Sequence, residues 1–319
     1  MKSRLSRVIQ IAFTVLVTAV IVVYLIQIDW SSLEGLQLTV VPFVAATLIA
    51  LLYRYWGALI WLVLLRRLGA TGLRPQGHEL VYVYAKSWLG RYLLGAGTWI
   101  LGKIYFASQH GIGRAKLAVS GLLEAALQLA ATLLVGLAFL LVDPRLASVG
   151  NGATIAAAIA LVLVVVAMIP PVFRWGITLA LRILRRPPLD PADLPDSKSI
   201  LVGGGMYVVA TFITGISYFF IAQSVYADIA WTDMPYVVGA ASIASAISLL
   251  AVFAPGGIGV REGVQVAFFV LIMPVELAVI VTVLMRLWSV GVDVLFFGVA
   301  AVTRRLARGG GPADAQAAP

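Results

Sequence analysis

Pro255-Gly256-Gly257-Ile258-Gly259-Val260-Arg261-Glu262 interrupts a long apolar part of the chain, between residues 235–253 and 264–273. Pro255 has no amide proton to donate, and glycine allows backbone conformations that other residues avoid. Irregular backbone at the depth of a membrane is tolerated only where protein or a water-filled cavity surrounds it. A charged Arg–Glu pair directly after the break therefore indicates a functional site.

The composition around this break is that of a membrane protein. Hydrophobic residues make up 61% of the 319 residues and charged residues 12%, whereas about a quarter of a soluble domain is charged. Six apolar runs reach the roughly 20 residues that cross a bilayer. They are residues 8–28, 40–65, 115–142, 153–173, 199–226 and 275–303. The first run lacks a convincing small-residue cleavage site, so we expect an uncleaved anchor.

The charges along the chain predict its topology. Basic residues concentrate at alternate ends of the apolar runs, as at 66–74, 182–186 and 304–308, and acidic residues such as Asp143 and Asp233 mark the opposite ends. By the positive-inside rule both termini are cytoplasmic. This placement accounts for the net charge of +9, so we expect no nucleic-acid partner. The absence of cysteine excludes disulfides and thiolate chemistry,.

Two apolar regions, residues 79–110 and 233–273, return to the side from which they entered if the charge map holds. Each contains a glycine-rich break, and the arms after the breaks have only about a dozen residues, too few to cross a bilayer. We therefore predict two re-entrant helical hairpins, the first on the cytoplasmic side and the second on the external side. A pair of short tilted spans is the alternative, although it would invert the charge map on one side.

The order of the elements predicts an inverted repeat. In each half a span, a hairpin and a second span follow one another, in opposite orientations, and broken helices in such repeats mark the binding region of transporters. The predicted domains are an N-terminal membrane half (1–186), a proline-rich cytoplasmic linker (187–198), a C-terminal membrane half (199–308) and a disordered tail (309–319).

Five ionisable residues fall inside apolar segments: Arg54, Glu124, Glu262, Arg286 and Asp293. A charge at the bilayer centre costs about 2.5–3.5 kcal/mol even on the more lenient scale, so each is expected to face protein or water. Two interpretations remain open. The residues contribute to a substrate site, or they pair with one another and hold tilted helices together.

Further candidates lie beside the two breaks. Glu262 complements the positive end of the half-helix after Gly259, and the amides of the Gly256–Gly259 break together with Arg261 would attract a phosphate. Thr98 is expected to cap the half-helix of the first hairpin. Secondary candidates are Arg91, Gly95, Gly97, Thr98 and Lys103, with Arg91 and Lys103 extending toward head groups,. Trp88, Tyr92, Trp99 and Tyr105 are expected to form an interfacial belt.

The sequence resembles a known family in three places. Pro255-Gly256-Gly257-Ile258-Gly259-Val260-Arg261-Glu262 is similar to the signature of the lysylphosphatidylglycerol synthase transmembrane-region family. The stretch from Tyr92 to Trp99, followed by Lys103 and Glu124, resembles its first motif, with Leu94-Gly95 where relatives often have Pro-Gly. Leu284-Met285-Arg286-Leu287 resembles the segment with the arginine that follows its second hairpin.

The resemblance implies a flippase or scramblase of a bacterial cytoplasmic membrane that acts on a phosphate-bearing lipid. No counterpart of the aminoacyl-transferase domain of two-part synthases follows Arg308, so we expect translocation without synthesis and no catalytic residue. An aminoacylated phospholipid, a polyprenyl-linked glycolipid and a hopanoid-type lipid all fit a basic cavity. Movement downhill and movement driven by protons through Glu124 or Glu262 both remain open.

The alternatives are an intramembrane transferase and an assembly partner of a lipid-modifying enzyme. The acids are scattered singly and no metal-binding pattern is present, so we favour a transporter without metal or cofactor. Small residues at Gly136, Ala130 and Ala131 offer a face for a homodimer.

Overall fold

The computed structural model describes residues 38–70, 77–94, 98–183, 194–250 and 259–309, and the regular elements within these ranges are helical. In chain order they are α1 (Val40–Arg67), α2 (Gly77–Leu89), α3 (Arg91–Leu94), α4 (Thr98–Ser108), α5 (Arg114–Val142), α6 (Pro144–Val149), α7 (Asn151–Met168), α8 (Pro170–Ile183), α9 (Ser197–Val225), a 3₁₀ turn (Trp231–Asp233), α10 (Met234–Leu250), α11 (Val260–Phe269) and α12 (Val275–Gly309). The predicted all-α fold class is confirmed.

Six segments of the described chain are long and apolar enough to cross a membrane. They are Val40–Arg67, Arg114–Val142, Asn151–Met168, Ser197–Val225, Trp231–Leu250 and Val275–Arg308. Helices satisfy their backbone groups internally, as lipid requires. The protein is therefore a multi-pass membrane protein. Five of these segments correspond to predicted spans, and the predicted span at residues 8–28 lies outside the described residues.

The third of these segments is shorter than predicted. The hydropathy of residues 153–173 predicts one span, but α7 ends at Met168 and a new helix, α8, starts at Pro170. A proline restricts the residue before it to extended conformations, and Ile169 has a ψ of 125°,. Phe173 therefore belongs to α8 and packs against residues of α1, α5 and α9 in the protein core.

The second predicted hairpin has arms of unequal length. Its first arm lies in Trp231–Leu250, which has 20 residues and is long enough to span a membrane. Its second arm, α11, has 10 residues, about 15 Å at helical rise. In the first hairpin α2 has 13 residues and α4 has 11. The re-entrant paths stay a prediction, since residues 95–97 and 251–258 lie outside the described residues.

In each half of the protein, the first arm of the predicted hairpin packs against a helix of the other half. The first arm of the first hairpin, α2, packs against α12, and the first arm of the second, α10, packs against α5. Each second arm packs against the long helix that follows it, α4 on α5 and α11 on α12, while α1 packs extensively against α9. The inverted repeat itself stays a prediction.

Glycine permits close approach where α5 and α10 cross. A Cβ atom placed at Gly136 would lie 2.9 Å from Cδ1 of Ile243, and Ala131 on the same helix is fully buried. The sequence predicts a homodimer contact for this small-residue face, but it packs against another helix of the same chain. The suggested dimer face is therefore wrong, whereas the oligomeric state itself stays a prediction.

Candidate functional site

A polar cavity lies between α1, α5, α9 and α10. About 390 Å³ of open space, part of it continuous with the surroundings of the protein, lies among its lining residues. The residues that line it, within the described part of the chain, carry no formal charge. Its polar lining residues are Tyr53, Gln128, Thr132, Tyr207, Thr211, Thr214, Tyr218, Ser242 and Ser245.

The longest wall of this cavity is one face of α9. Tyr207, Thr211, Thr214 and Tyr218 recur at intervals of four, three and four residues, which places their side chains on one side of a helix. On α5, Glu124 precedes Gln128 and Thr132 on one face in the same way. Sequence reasoning missed these uncharged residues because it searched the spans for charge. A polar stripe at helical spacing within an apolar run was the available signal.

At one end of the cavity lies a buried ion pair between α4 and α5. The ammonium of Lys103 donates to both carboxylate oxygens of Glu124, at 2.9 and 2.8 Å. Both residues are only 1% exposed. The hydroxyl of Tyr207, which lines the cavity, donates to the same carboxylate at 3.2 Å. Glu124, a predicted site residue, is thus linked to the cavity through Tyr207 and neutralised by Lys103.

Aromatic rings complete the surroundings of Lys103. Its Nζ atom lies 5.1, 4.2 and 4.6 Å from the ring centroids of Trp61, Tyr84 and Trp99. Ring faces attract cations at such distances. The expectation that Lys103 extends toward head groups is therefore wrong, because the carboxylate and the rings hold its ammonium inside the protein. The predicted interfacial belt is likewise wrong for Trp99 and for Trp88, which are buried.

A second cluster is centred on Asp293 of α12, which is 1% exposed. Arg54 donates from Nε to Oδ1 of Asp293, while Arg91 donates to Oδ2. The hydroxyl of Tyr92 also donates to Oδ2, at 2.5 Å. Arg54 is therefore paired with another buried charge, as the second interpretation predicts. The cluster connects α1, α3 and α12. One carboxylate faces two guanidinium groups, so the cluster keeps a surplus of positive charge.

The third group of candidates lies at the start of α11. Gly259 has a φ of 85°, a left-handed conformation that favours glycine,. Its N–H donates to Oε2 of Glu262 at 2.6 Å, and Oε1 of Glu262 lies 3.5 Å from Arg286. The predicted interaction of Glu262 with the helix start is present, and its carboxylate occupies part of the place proposed for a phosphate.

Arg261 faces the cavity end formed by Tyr218. Its guanidinium donates to the Tyr218 hydroxyl, and among the described residues its buried Nε has no hydrogen-bond partner. On α1, Tyr53 also contacts a charged side chain, since the guanidinium of Arg54 lies 4.9 Å from the centre of the Tyr53 ring. Three tyrosines that line the cavity therefore each contact a buried or half-buried charged side chain.

Two further ion-pair clusters tie the first arm of each hairpin to the other half. Glu79 of α2 accepts from Arg304 and Arg308 of α12, at 2.7 and 2.6 Å. At the start of the second hairpin, Asp233 pairs with Arg145 of α6, which also contacts Asp143. We call these the α2–α12 clasp and the Arg145–Asp233 clasp.

The remaining candidates are placed only in part. Gly95, Gly97, Pro255, Gly256 and Gly257 lie outside the described residues. Thr98 is the first residue of α4, and its hydroxyl donates to the carbonyl of Gly90 at 2.9 Å, which ties the two arms of the first hairpin together.

The cavity and the charged groups around Glu124, Asp293 and Glu262 lie within a part of the chain that matches a known family. The family model described as lysylphosphatidylglycerol synthase TM region matches residues 7–296. The chain belongs to this family. The lysylphosphatidylglycerol synthase transmembrane-region match also covers the residues of both predicted hairpins, and it fits a role related to membrane lipids. A comparison with curated proteins finds no match.

Proposed function

We propose that the protein moves a phosphate-bearing lipid between the leaflets of a bacterial cytoplasmic membrane, as a flippase or scramblase without a chemical step. The observation that carries the proposal is the hydroxyl-lined cavity, whose tyrosines Tyr53, Tyr207 and Tyr218 each contact a charged side chain. Burying polar groups among apolar helices costs free energy unless they meet partners. A lipid head group that passes through the cavity supplies such partners.

The phosphate belongs at the Tyr218 end of the cavity. The cluster of Arg54, Arg91 and Asp293 has more positive than negative charge, and Arg261 adds another guanidinium with an unpartnered Nε among the described residues. Guanidinium groups form strong, charge-assisted hydrogen bonds with phosphate oxygens. The acyl chains of the lipid remain in the bilayer, where the outer faces of the helices are apolar.

Access to the cavity is controlled by the two clasps in this proposal. Each clasp joins the first arm of one hairpin to an element of the other half, and the positive-inside prediction assigns the α2–α12 clasp to the cytoplasmic side. Opening one clasp at a time would expose the cavity to one leaflet at a time, which is the alternating access of inverted-repeat transporters.

The proposed movement is downhill. Glu124 is held by Lys103 and Glu262 by Arg286 and the Gly259 amide. A carboxylate that carries protons has to leave such partners in every cycle. We therefore expect the transport rate to be unchanged when the proton gradient is collapsed, and a proportional fall would instead assign proton coupling.

The experiment is reconstitution into vesicles that contain a fluorescent head-group-labelled phospholipid, with dithionite to quench the outer leaflet. Wild-type protein should make the inner-leaflet lipid accessible, whereas protein-free vesicles should not. Arg261→Gln removes the charge that meets the phosphate. Loss of one hydrogen bond to a charged group, about 1.5–3 kcal/mol, predicts a rate roughly 10- to 150-fold lower. Arg182→Gln, which changes an exposed arginine of α8, is the control.

The proposal is wrong if wild-type vesicles behave like protein-free vesicles with anionic, aminoacylated and polyprenyl-linked lipids alike. An intramembrane transferase or a partner of a lipid-modifying enzyme would then be the leading hypothesis. An equal rate for Arg261→Gln and Arg182→Gln would leave translocation intact but remove Arg261 from the site.

A further inference from the structure

The wall of the cavity is rich in hydrogen-bond acceptors. Four lining hydroxyls donate their single proton to the carbonyl four residues earlier in their own helix, at 2.6–2.9 Å: Thr132, Thr211, Thr214 and Ser245. A hydroxyl has one proton and two lone pairs. Each of these oxygens therefore offers the cavity acceptor capacity only, and the Tyr207 hydroxyl, which donates to Glu124, does the same.

We infer that this cavity binds a hydroxyl-rich head group, such as a sugar or a glycerol unit. The inference rests on the proposed lipid movement and specifies its substrate class. Hydroxyl groups of the ligand donate to the acceptor wall, and buried acceptors left without a donor are costly. The ligand's own carbons lie against the rings of Tyr53, Tyr207 and Tyr218, which combine an apolar body with a polar tip.

Two other head-group chemistries fit this cavity less well than hydroxyl groups do. A quaternary ammonium has no proton to donate to the acceptor wall, and the carboxylate nearest the cavity, Glu124, is already neutralised by Lys103. Along α9 a phosphate would meet the acceptor oxygens of Tyr207, Thr211 and Thr214, so it remains at the Tyr218 end beside Arg261. The cavity therefore recognises the part of the head group beyond the phosphate.

The test compares three lipids in vesicles, each labelled on an acyl chain so that the head group is unaltered. One carries phosphoglycerol, one carries a hexose without phosphate, and one carries phosphocholine. Of the two lipids that carry a phosphate, the phosphoglycerol lipid should move roughly tenfold faster than the phosphocholine lipid. The hexose lipid separates recognition of hydroxyls from recognition of phosphate, since only the hydroxyl class is shared with phosphoglycerol.

The variant Thr211→Val/Thr214→Val removes two acceptors while keeping the side-chain shape, and it should abolish this preference. Thr178→Val is the matched control, because Thr178 makes the same bond within its helix but is exposed on α8. Equal rates for all three lipids, with movement above protein-free vesicles, overturn this inference and leave the proposed function standing. No movement of any lipid overturns both.

Discussion

The substitution Lys103→Met removes the positive charge of a buried ion pair with little change in side-chain volume. Methionine fills the same channel between the three rings, since it is unbranched and flexible. The variant leaves the Glu124 carboxylate, 1% exposed, with the Tyr207 hydroxyl as its remaining hydrogen-bond partner among the described residues. Breaking a buried pair in this way costs about 3–5 kcal/mol of unfolding free energy. The lost attraction to the rings is part of this cost, at about 0.5–2 kcal/mol.

Restoring neutrality should recover most of this stability. In the double variant Lys103→Met/Glu124→Gln, no charge is buried, and the amide carbonyl oxygen introduced at position 124 can still accept from Tyr207. Replacing both members of a buried pair is often close to neutral, so we expect a loss below about 2 kcal/mol. The double-mutant cycle should then give a coupling of more than about 1 kcal/mol.

The assay is equilibrium unfolding of purified protein in mild detergent, followed by circular dichroism. Lys86→Met is the control, because Lys86 is exposed in the neighbouring helix α2 with its ammonium 4.1 Å from the Phe106 ring centroid. Its loss should not exceed about 1 kcal/mol. The reasoning fails if Lys103→Met is as mild as Lys86→Met, or if the double variant loses the sum of the two single losses.

Two further predictions concern the α2–α12 clasp and helix packing. Burial raises the pKa of Glu79, but hydrogen bonds and charges from its two arginine partners outweigh burial and lower the pKa below its ordinary value of 4.5. Glu79 therefore adds stability above pH 4.5 that is lost as the pH falls through the folded pKa,. Unfolding titrations should show wild type and Glu79→Gln separated at neutral pH and converging in acid; a constant separation would contradict the assignment. On α9, Gly215→Ala places a Cβ atom 2.6 Å from Val238 and should cost about 1–3 kcal/mol. Gly205→Ala, with open space at the same helix, should be neutral or stabilising by up to about 1 kcal/mol, and equal effects would refute the close crossing.

The long helices were predictable because hydropathy is a property of contiguous residues. Five predicted spans are confirmed, and the arm after the Pro-Gly-Gly break is as short as expected. The boundary at Ile169 was missed although Pro170 and Pro171 were visible in the sequence. In that case a local rule about proline carried more information than the hydropathy of the run.

The sequence did not show which charged residues pair with which. Arg54 and Asp293 are 239 positions apart, and their meeting depends on the rotation and depth of two helices. Lys103 has a flexible four-carbon chain that reaches either the head groups or the interior. The positions of Glu124 and of three rings from α1, α2 and α4 decide between these, and none of these positions is encoded locally.

The sequence by itself determined that the chain is a multi-pass helical membrane protein with charges in costly places, because both properties add up residue by residue. Only the tertiary structure decided which of those charges pair with one another in clusters, and that the uncharged faces of four helices meet in a cavity. A hydroxyl on an apolar helix carries little hydropathy, so its importance emerges only where several helices bring such groups together.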